Sequence, residues 1–433
     1  MDFAGEIPAP AKSDCIRSLF WGIKKEELTR ILAAAENNSP GSKAFVGKSV
    51  MPQKKAVILT GHFPVQKRRA NIHWISDHLQ ANGWHVTMVT MGYSWVSRFR
   101  GDRRFKQLNG NRPQVGETVH DHNLTSFFDY APLHPFSLKQ PILDWFARPF
   151  HQSFVWFWSR RLGRYADDAD LVLIESGPPI MLAAHVRRLA PKAAMVYRVS
   201  DDMRVLGLPD FLFRAELEYA PLFDRISMAS KQLARRFAGL KTVHIDPVGV
   251  DKATLDGDLP DPFSKQGRAE KEAVCAGTTQ FDEQIIRTMA ELRPNWNFHI
   301  IGRLAKDPKP GPGNLIFHGE IPFPDTAAFV KHADIGLAPY IDKPGVEYQT
   351  AQSNRMMLYR YYGLPMIGPE SICDPDLPNV VGYDPGSDVS MAKALLKLDH
   401  MARGPSDPRV NDWVVLYERI VSTPKPHGKH DLA

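Results

Sequence analysis

Cysteine is scarce: Cys15, Cys275 and Cys373 are the only three in 433 residues, far apart and odd in number. That excludes a disulfide framework and any CxxC metal site, and it suits a reducing compartment. Long apolar runs are missing too. No stretch of about 18 uncharged apolar residues occurs, and the start, Met1-Asp-Phe-Ala-Gly-Glu6, has neither the basic segment nor the apolar centre of a secretory signal. The expectation is a chain that neither spans a membrane nor is exported. GxGxxG and the phosphate-loop lysine motif are absent, which disfavours the usual dinucleotide and P-loop sites. With no HExxH pattern either, no metal or other cofactor is expected.

What is present is enough for two hydrophobic cores. The chain is longer than one core usually organises, with 43% hydrophobic and 10% aromatic residues. Charge is uneven: residues 1–200 hold 27 lysines and arginines against 16 carboxylates, a net of +11, which leaves −5 for the remainder of a chain totalling +6. A basic half beside an acidic half suggests that one domain faces an anionic partner or membrane.

Residues 1–50 read as an extension, with Ile16, Leu19, Phe20 and Ile23 at helical spacing. Lys55–Thr60 is the first strand; Ile72, Ile75 and Leu79 mark the buried face of a helix that Gly83 ends; Trp84–Thr90 is the second strand. Further strands are expected at Leu171–Ile174, Ala194–Val199, Arg225–Met228 and Thr242–Ile245. After a linker at Pro247–Asp251, a second series opens at Ala273–Gly277 and continues through strands at Asn297–Ile301, Leu315–His318 and Ile335–Tyr340 and a helix at Ser353–Tyr362. Trp413, Leu416, Tyr417 and Ile420 mark a last amphipathic helix. The fold class is therefore α/β, with two Rossmann-like domains facing each other across a cleft. The boundaries expected are an extension over 1–50, a first domain over 51–248, a second over 249–405 and a C-terminal helix and tail over 406–433.

The apolar run Ala194-Met-Val-Tyr-Arg-Val-Ser-Asp-Asp202 stops abruptly on two carboxylates. Such a run reads as a buried parallel strand whose carboxyl end opens into the ligand crevice of an α/β sheet. Asp201 is the candidate for chemistry, although Ser200, Asp201 and Asp202 also suit a simple helix cap. Glu175, at the end of a neighbouring run, is the reserve. Around the first turn, Lys67, Arg68, Arg69 and Asn71 form either a solvated face or the entrance for an anionic, polyhydroxylated substrate. Aromatic and basic residues mix at Ser94–Lys106, and again at Trp145, Phe146, Phe150, Phe154, Trp156, Phe157 and Trp158 ahead of Arg160, Arg161 and Arg164. Indoles beside guanidinium groups suit the headgroup boundary of a bilayer, so Trp95, Trp145, Trp156 and Trp158 are the expected docking residues. A stacking platform for nucleic acid has the same composition, but no nucleic-acid module accompanies it.

Five short motifs, Arg69-Ala-Asn-Ile-His-Trp-Ile-Ser-Asp77, Tyr197-Arg-Val-Ser-Asp201, His318-Gly-Glu320, Gly336-Leu-Ala-Pro-Tyr340 and Tyr362-Gly-Leu-Pro365, occur in an order and spacing that resemble glycosyltransferase family 70, the GumK-type xanthan glucuronosyltransferases. The resemblance covers most of residues 55–400. It implies a GT-B fold and an inverting, metal-independent transfer of glucuronic acid from UDP-glucuronate to a polyprenyl-diphosphate-linked oligosaccharide in exopolysaccharide biosynthesis. The setting it implies is peripheral, on the cytoplasmic face of the inner membrane. Carried over residue by residue, it places the catalytic aspartate at Asp201 and the donor contacts at Gly277, Thr278, Thr279, Glu320, Tyr340, Asn354 and Arg355. Asn354 and Arg355 open a helix, where N–H groups and the helix dipole favour a diphosphate, and a guanidinium could grip phosphate oxygens in pairs. The chain departs from the family at Arg355, Asn354, Thr279, Leu358 and Arg236, which leaves a different UDP-sugar, or a non-catalytic nucleotide-sugar or polysaccharide binder, as the alternatives.

Overall fold

The computed structural model describes residues 53–425 except 67–68, 102–103, 106–107, 109–112, 136–139, 205, 265–266, 305–306, 309, 343–352, 375–376 and 378, with backbone alone over 141–150. The helix expected near Ile16–Ile23, along with Lys67 and Arg68, lies outside the described residues.

Strands β1 (Lys55–Thr60), β2 (His85–Thr90), β3 (Gly116–Val119), β4 (Leu124–Phe128), β5 (Leu171–Glu175), β6 (Ala194–Val199), β7 (Arg225–Met228) and β8 (Val243–Ile245) form one sheet, ordered β3-β4-β2-β1-β5-β6-β7-β8. Every pairing in it is parallel except β3 with β4. All six residues of β6 are buried, as expected of a strand covered on both faces. The antiparallel edge pair was not legible in the sequence, because β3 is four residues of alternating exposure at a rim.

The second sheet comprises β9 (Lys271–Ala276), β10 (Trp296–Ile301), β11 (Leu315–Gly319), β12 (Ile335–Leu337), β13 (Met366–Pro369) and β14 (Val380–Tyr383) in the order β11-β10-β9-β12-β13-β14. Its pairings are parallel throughout. Strands β13 and β14 escape a sequence reading because Gly368, Pro369 and Gly382 read as loop. In each sheet the chain winds outward one way and then the other, reversing between β1 and β5 and between β9 and β12. Ligands in open α/β sheets bind beyond the carboxyl ends of strands at such reversals, and that locates the site on topology alone.

Helix α1 (Asn71–Ala81) follows β1, and α2 (Pro141–Ala166) precedes β5. Along α2, Phe154, Trp158, Leu162 and Ala166 recur four apart and are buried against the first sheet. Trp156 falls on the opposite side and is 55% exposed, with the Arg160 guanidinium 3.9 Å from its ring centre. This corrects the docking set: Trp158 is 0% exposed and belongs to the core, since two helical positions turn a side chain by about 200°. Trp95 is exposed at the start of the short helix Trp95–Arg100, whereas the side chain of Trp145 lies outside the described residues.

The chain passes between the two sheets twice. On the outward passage the Val250 N–H donates to the Asn411 carbonyl at 3.0 Å, and on the return the Trp413 N–H donates to the Val250 carbonyl at 3.2 Å. Gly249 makes the approach possible: a Cβ there would stand 2.6 Å from the Trp413 nitrogen. Helices α3 (Phe323–His332) and α4 (Asn354–Tyr361) belong to the second sheet, and α5 (Trp413–Val421) follows the return passage. Leu416, Tyr417 and Ile420 of α5 pack with Ile72, Ile75 and Leu79 of α1, so this helix returns to the first sheet.

Candidate functional site

A cleft of about 600 Å³ lies where the two sheets' strand ends meet. From the first sheet it takes Asn71, at the start of α1, and Ser200 and Asp201, directly after β6; from the second it takes Gly277, Thr279 and Gln280 after β9, Tyr340 after β12, and Ser353, Asn354 and Arg355 at the start of α4. Asp201, Asn71, Gly277, Thr279, Tyr340, Asn354 and Arg355, all named from the sequence, thus line one space.

The loop carrying Asp201 is fixed by its neighbour. The carboxylate of Asp202 accepts from the Arg204 backbone N–H at 2.9 Å and from the Arg204 side chain, and Arg236 approaches it at 3.4 Å. Burial works against ionisation of Asp202, but the Arg204 side-chain and backbone donors and the Arg236 charge outweigh it and hold the carboxyl below its usual range. Arg236 also pairs with Glu216, whose carboxylate accepts from the Tyr197 hydroxyl at 2.8 Å. Burial pushes Glu216 up, with Arg236 opposing. Arg198, three residues before Asp201, turns to the other side of the sheet and donates to Ser227 Oγ and the Asp246 carbonyl.

Other sequence-named residues sit elsewhere. Glu175 is buried at the end of β5, accepts from the Thr60 hydroxyl and lies 3.6 Å from His62 Nε2. Arg69 pairs with Asp77 and lies over the Trp74 ring. The Thr278 hydroxyl donates to the Arg303 carbonyl at 2.7 Å, and Glu320 is exposed beyond β11. None of these four is among the described residues lining the cleft.

On the second-sheet wall, Gly277 has φ +105°, which a residue with a side chain rarely adopts. Gln280 has φ +52°, the single non-glycine residue with positive φ among those described. Its role could not be read from the sequence, because glutamine carries no preference for that conformation. Ser353 could have been: it stands immediately ahead of α4, and its hydroxyl accepts from the Met356 N–H. The Tyr340 and Ser353 hydroxyls are 2.6 Å apart, and burial raises the Tyr340 phenol against the opposing pull of Arg355. The Arg355 guanidinium lies 4.6 Å from the Tyr340 ring centre.

This arrangement places a carboxylate on one side of a cleft and, opposite it, a wall of main-chain N–H groups, hydroxyls and amides over a buried cation. Chemically it suits a diphosphate-activated substrate on the second sheet and proton removal on the first.

Comparison with known proteins agrees. Residues 58–229 match the family described as glucuronosyltransferase GumK, N-terminal domain. Over 346 residues the chain is 29% identical to the UDP-glucuronate:glycolipid 2-beta-glucuronosyltransferase of Xanthomonas campestris pv. campestris, an alignment spanning 78% of this chain and 82% of that one. Among solved structures, α,α-trehalose 6-phosphate synthase from Burkholderia multivorans superposes with a TM-score of 0.53 at 12% identity, over 86% of this chain and 96% of that one. The N-terminal domain of Candida albicans trehalose-6-phosphate phosphatase gives 0.51 at 14% identity, over 88% and 96%. At such identities the likeness concerns fold alone. The fold is GT-B and the sequence is GumK-like.

Proposed function

We propose that this protein is an inverting glycosyltransferase that transfers glucuronic acid from UDP-glucuronate to a lipid-linked oligosaccharide in exopolysaccharide biosynthesis. The observation that carries the reading is the meeting of Asp201 with the Gly277–Gln280 loop and the start of α4 in one cleft, in a chain whose likeness to a glycolipid glucuronosyltransferase extends through both sheets. In this reading the diphosphate rests on the second-sheet wall and the acceptor enters from the first. Asp201 takes the proton of the acceptor hydroxyl as that oxygen attacks the anomeric carbon. The new glycosidic bond forms on one face while the bond to the phosphate oxygen breaks on the other, and UDP leaves. The name of the Xanthomonas relative specifies a β-linked glucuronosyl product, and from an α-linked UDP-sugar a single displacement at the anomeric carbon delivers it.

The deciding experiment is UDP release from a panel of UDP-sugars with a lipid-linked acceptor. Turnover with UDP-glucuronate at least tenfold above UDP-glucose supports the reading; turnover only with another sugar keeps the class and replaces the donor. Stabilisation by UDP, about 2.7 kcal/mol at 100 times its dissociation constant, without turnover of any donor would identify a binding protein instead.

Charge neutralisation at the diphosphate falls to N–H groups and Arg355 in this proposal, so no metal is required. Activity is expected to survive EDTA. Loss on chelation with rescue by magnesium or manganese would overturn that part of the reading.

Docking of the first domain on the anionic cytoplasmic face of the inner membrane would bring a lipid-linked acceptor to the cleft. No helix among the described residues is long and apolar enough to cross a membrane. Trp95, Phe99 and Trp156 are exposed instead, with Arg98 over the Trp95 ring and Arg160 over that of Trp156. Aromatic faces backed by guanidinium groups support interfacial burial.

A further inference from the structure

The residue expected to grip the phosphates faces the other way. Arg355 is 4% exposed. Its Nη2 donates to the Gly277 carbonyl and, at 3.5 Å, to that of Thr279, while Nε reaches the Ala276 carbonyl at 3.4 Å. The remaining nitrogen, Nη1, is buried and has no partner among the described residues, so a ligand in the cleft cannot reach it without movement of the wall. One face of the guanidinium is covered by Tyr340.

Across a planar trans peptide, the carbonyl of one residue and the N–H of the next point in opposite directions. Drawing the Gly277 and Thr279 carbonyls onto one guanidinium therefore turns the N–H groups of Thr278 and Gln280 away from it. Thr278, Thr279, Gln280 and Phe281 make no main-chain N–H hydrogen bond to any described residue, and neither do Asn354 and Arg355 in the first turn of α4. Four of these six residues, Thr279, Gln280, Asn354 and Arg355, line the cleft. The first N–H groups of a helix have no intrahelical partner, and successive free ones beside a left-handed residue form an anion cradle.

We propose that Arg355 is a positioning residue: it holds the Gly277–Gln280 loop from behind so that main-chain N–H groups, rather than the guanidinium, bind the donor diphosphate. The inference rests on the nucleotide-sugar reading above and assigns the atoms that carry it out. It also gives the positive φ of Gln280 a purpose, since backbone strain at a functional loop persists where the surroundings impose it.

Amide hydrogen exchange of the full chain, with and without UDP, tests this. In the wild type, UDP is expected to slow exchange at Thr278–Phe281; unchanged exchange there while UDP binds elsewhere overturns the proposal. In Arg355→Ala the same amides are expected to exchange faster before any ligand is added, and UDP affinity to fall on the order of tenfold or more. A direct phosphate contact predicts lost affinity with unaltered loop exchange, which would also overturn it. Arg355→Lys guards against a variant that fails to fold. It keeps the charge but cannot span the carbonyls, so its loop exchange should resemble that of alanine, and retention of both wild-type exchange and wild-type affinity counts against positioning. Failure of the functional reading looks different: the wild type would bind no UDP at all.

Discussion

Asp201→Asn is expected to lower turnover about 100-fold or more, the usual contribution of general base catalysis, while UDP binding and the melting temperature stay nearly unchanged. A neutral hydroxyl attacks poorly until a base about 3 Å away removes its proton, and the amide keeps the shape of the carboxylate without its basicity. The fold supplies the expected selectivity. Asp201 lines the cleft, whereas Asp202 is held by Arg204 and Arg236 and Glu175 by Thr60. Removing one carboxylate therefore leaves the loop's anchors in place. Asp202→Asn should behave oppositely, losing stability before chemistry, because Arg204 would lose its counter-charge and Arg236 one of its two. Near-native turnover in Asp201→Asn beside an inactive, still folded Glu175→Gln would transfer the role to Glu175.

The second large effect separates two tryptophans two residues apart. Trp158→Ala is expected to cost about 3–5 kcal/mol by denaturant titration, as truncating a buried large aromatic does. Its ring meets Phe127 and Phe157 edge-on at centroid distances of 6.0 and 5.4 Å and is itself 0% exposed. The Nε1 atom has no partner among the described residues, so the loss is one of packing. Trp156→Ser should change stability by about 0.5 kcal/mol or less, yet reduce binding to anionic vesicles severalfold, more so with Trp95→Ser added. Equal destabilisation by the two single substitutions would contradict the helix orientation, and undiminished vesicle binding would remove Trp156 from the docking surface.

These two tryptophans also show how far the sequence could be read. Seven aromatics in fourteen residues between Trp145 and Trp158 suggested one interfacial surface, but the spacing of Phe154, Trp158 and Leu162 already held a buried stripe that composition concealed. Strands covered on both faces were legible because they leave near-continuous apolar runs, as in β1, β5, β6 and β9. Short or glycine-bearing strands, β3, β13 and β14, were not. Asp201 was legible because a buried strand ends just before it, whereas Tyr340, Asn354 and Arg355 were gathered with it by the family resemblance. Neither could say which way a side chain turns: Arg355 bends back under its loop, Glu175 and Arg198 close on partners inside the first domain, and Gln280 takes a backbone conformation its type does not advertise.

The double passage between the sheets, closed by Val250, Asn411 and Trp413 with Gly249 between them, has a consequence for how such a chain could exchange parts. The second sheet and its helices form an insert within a first half that resumes at α5, so under the proposed function donor preference could be inherited as a cassette with two seams. A graft taken at one seam alone would carry a foreign α5 onto α1, where Leu416, Tyr417 and Ile420 must fit Ile72, Ile75 and Leu79. Cutting at both, near Gly249 and Asp412, leaves that helix with its own partner and confines the mismatch to a few hydrogen bonds between the crossing strands.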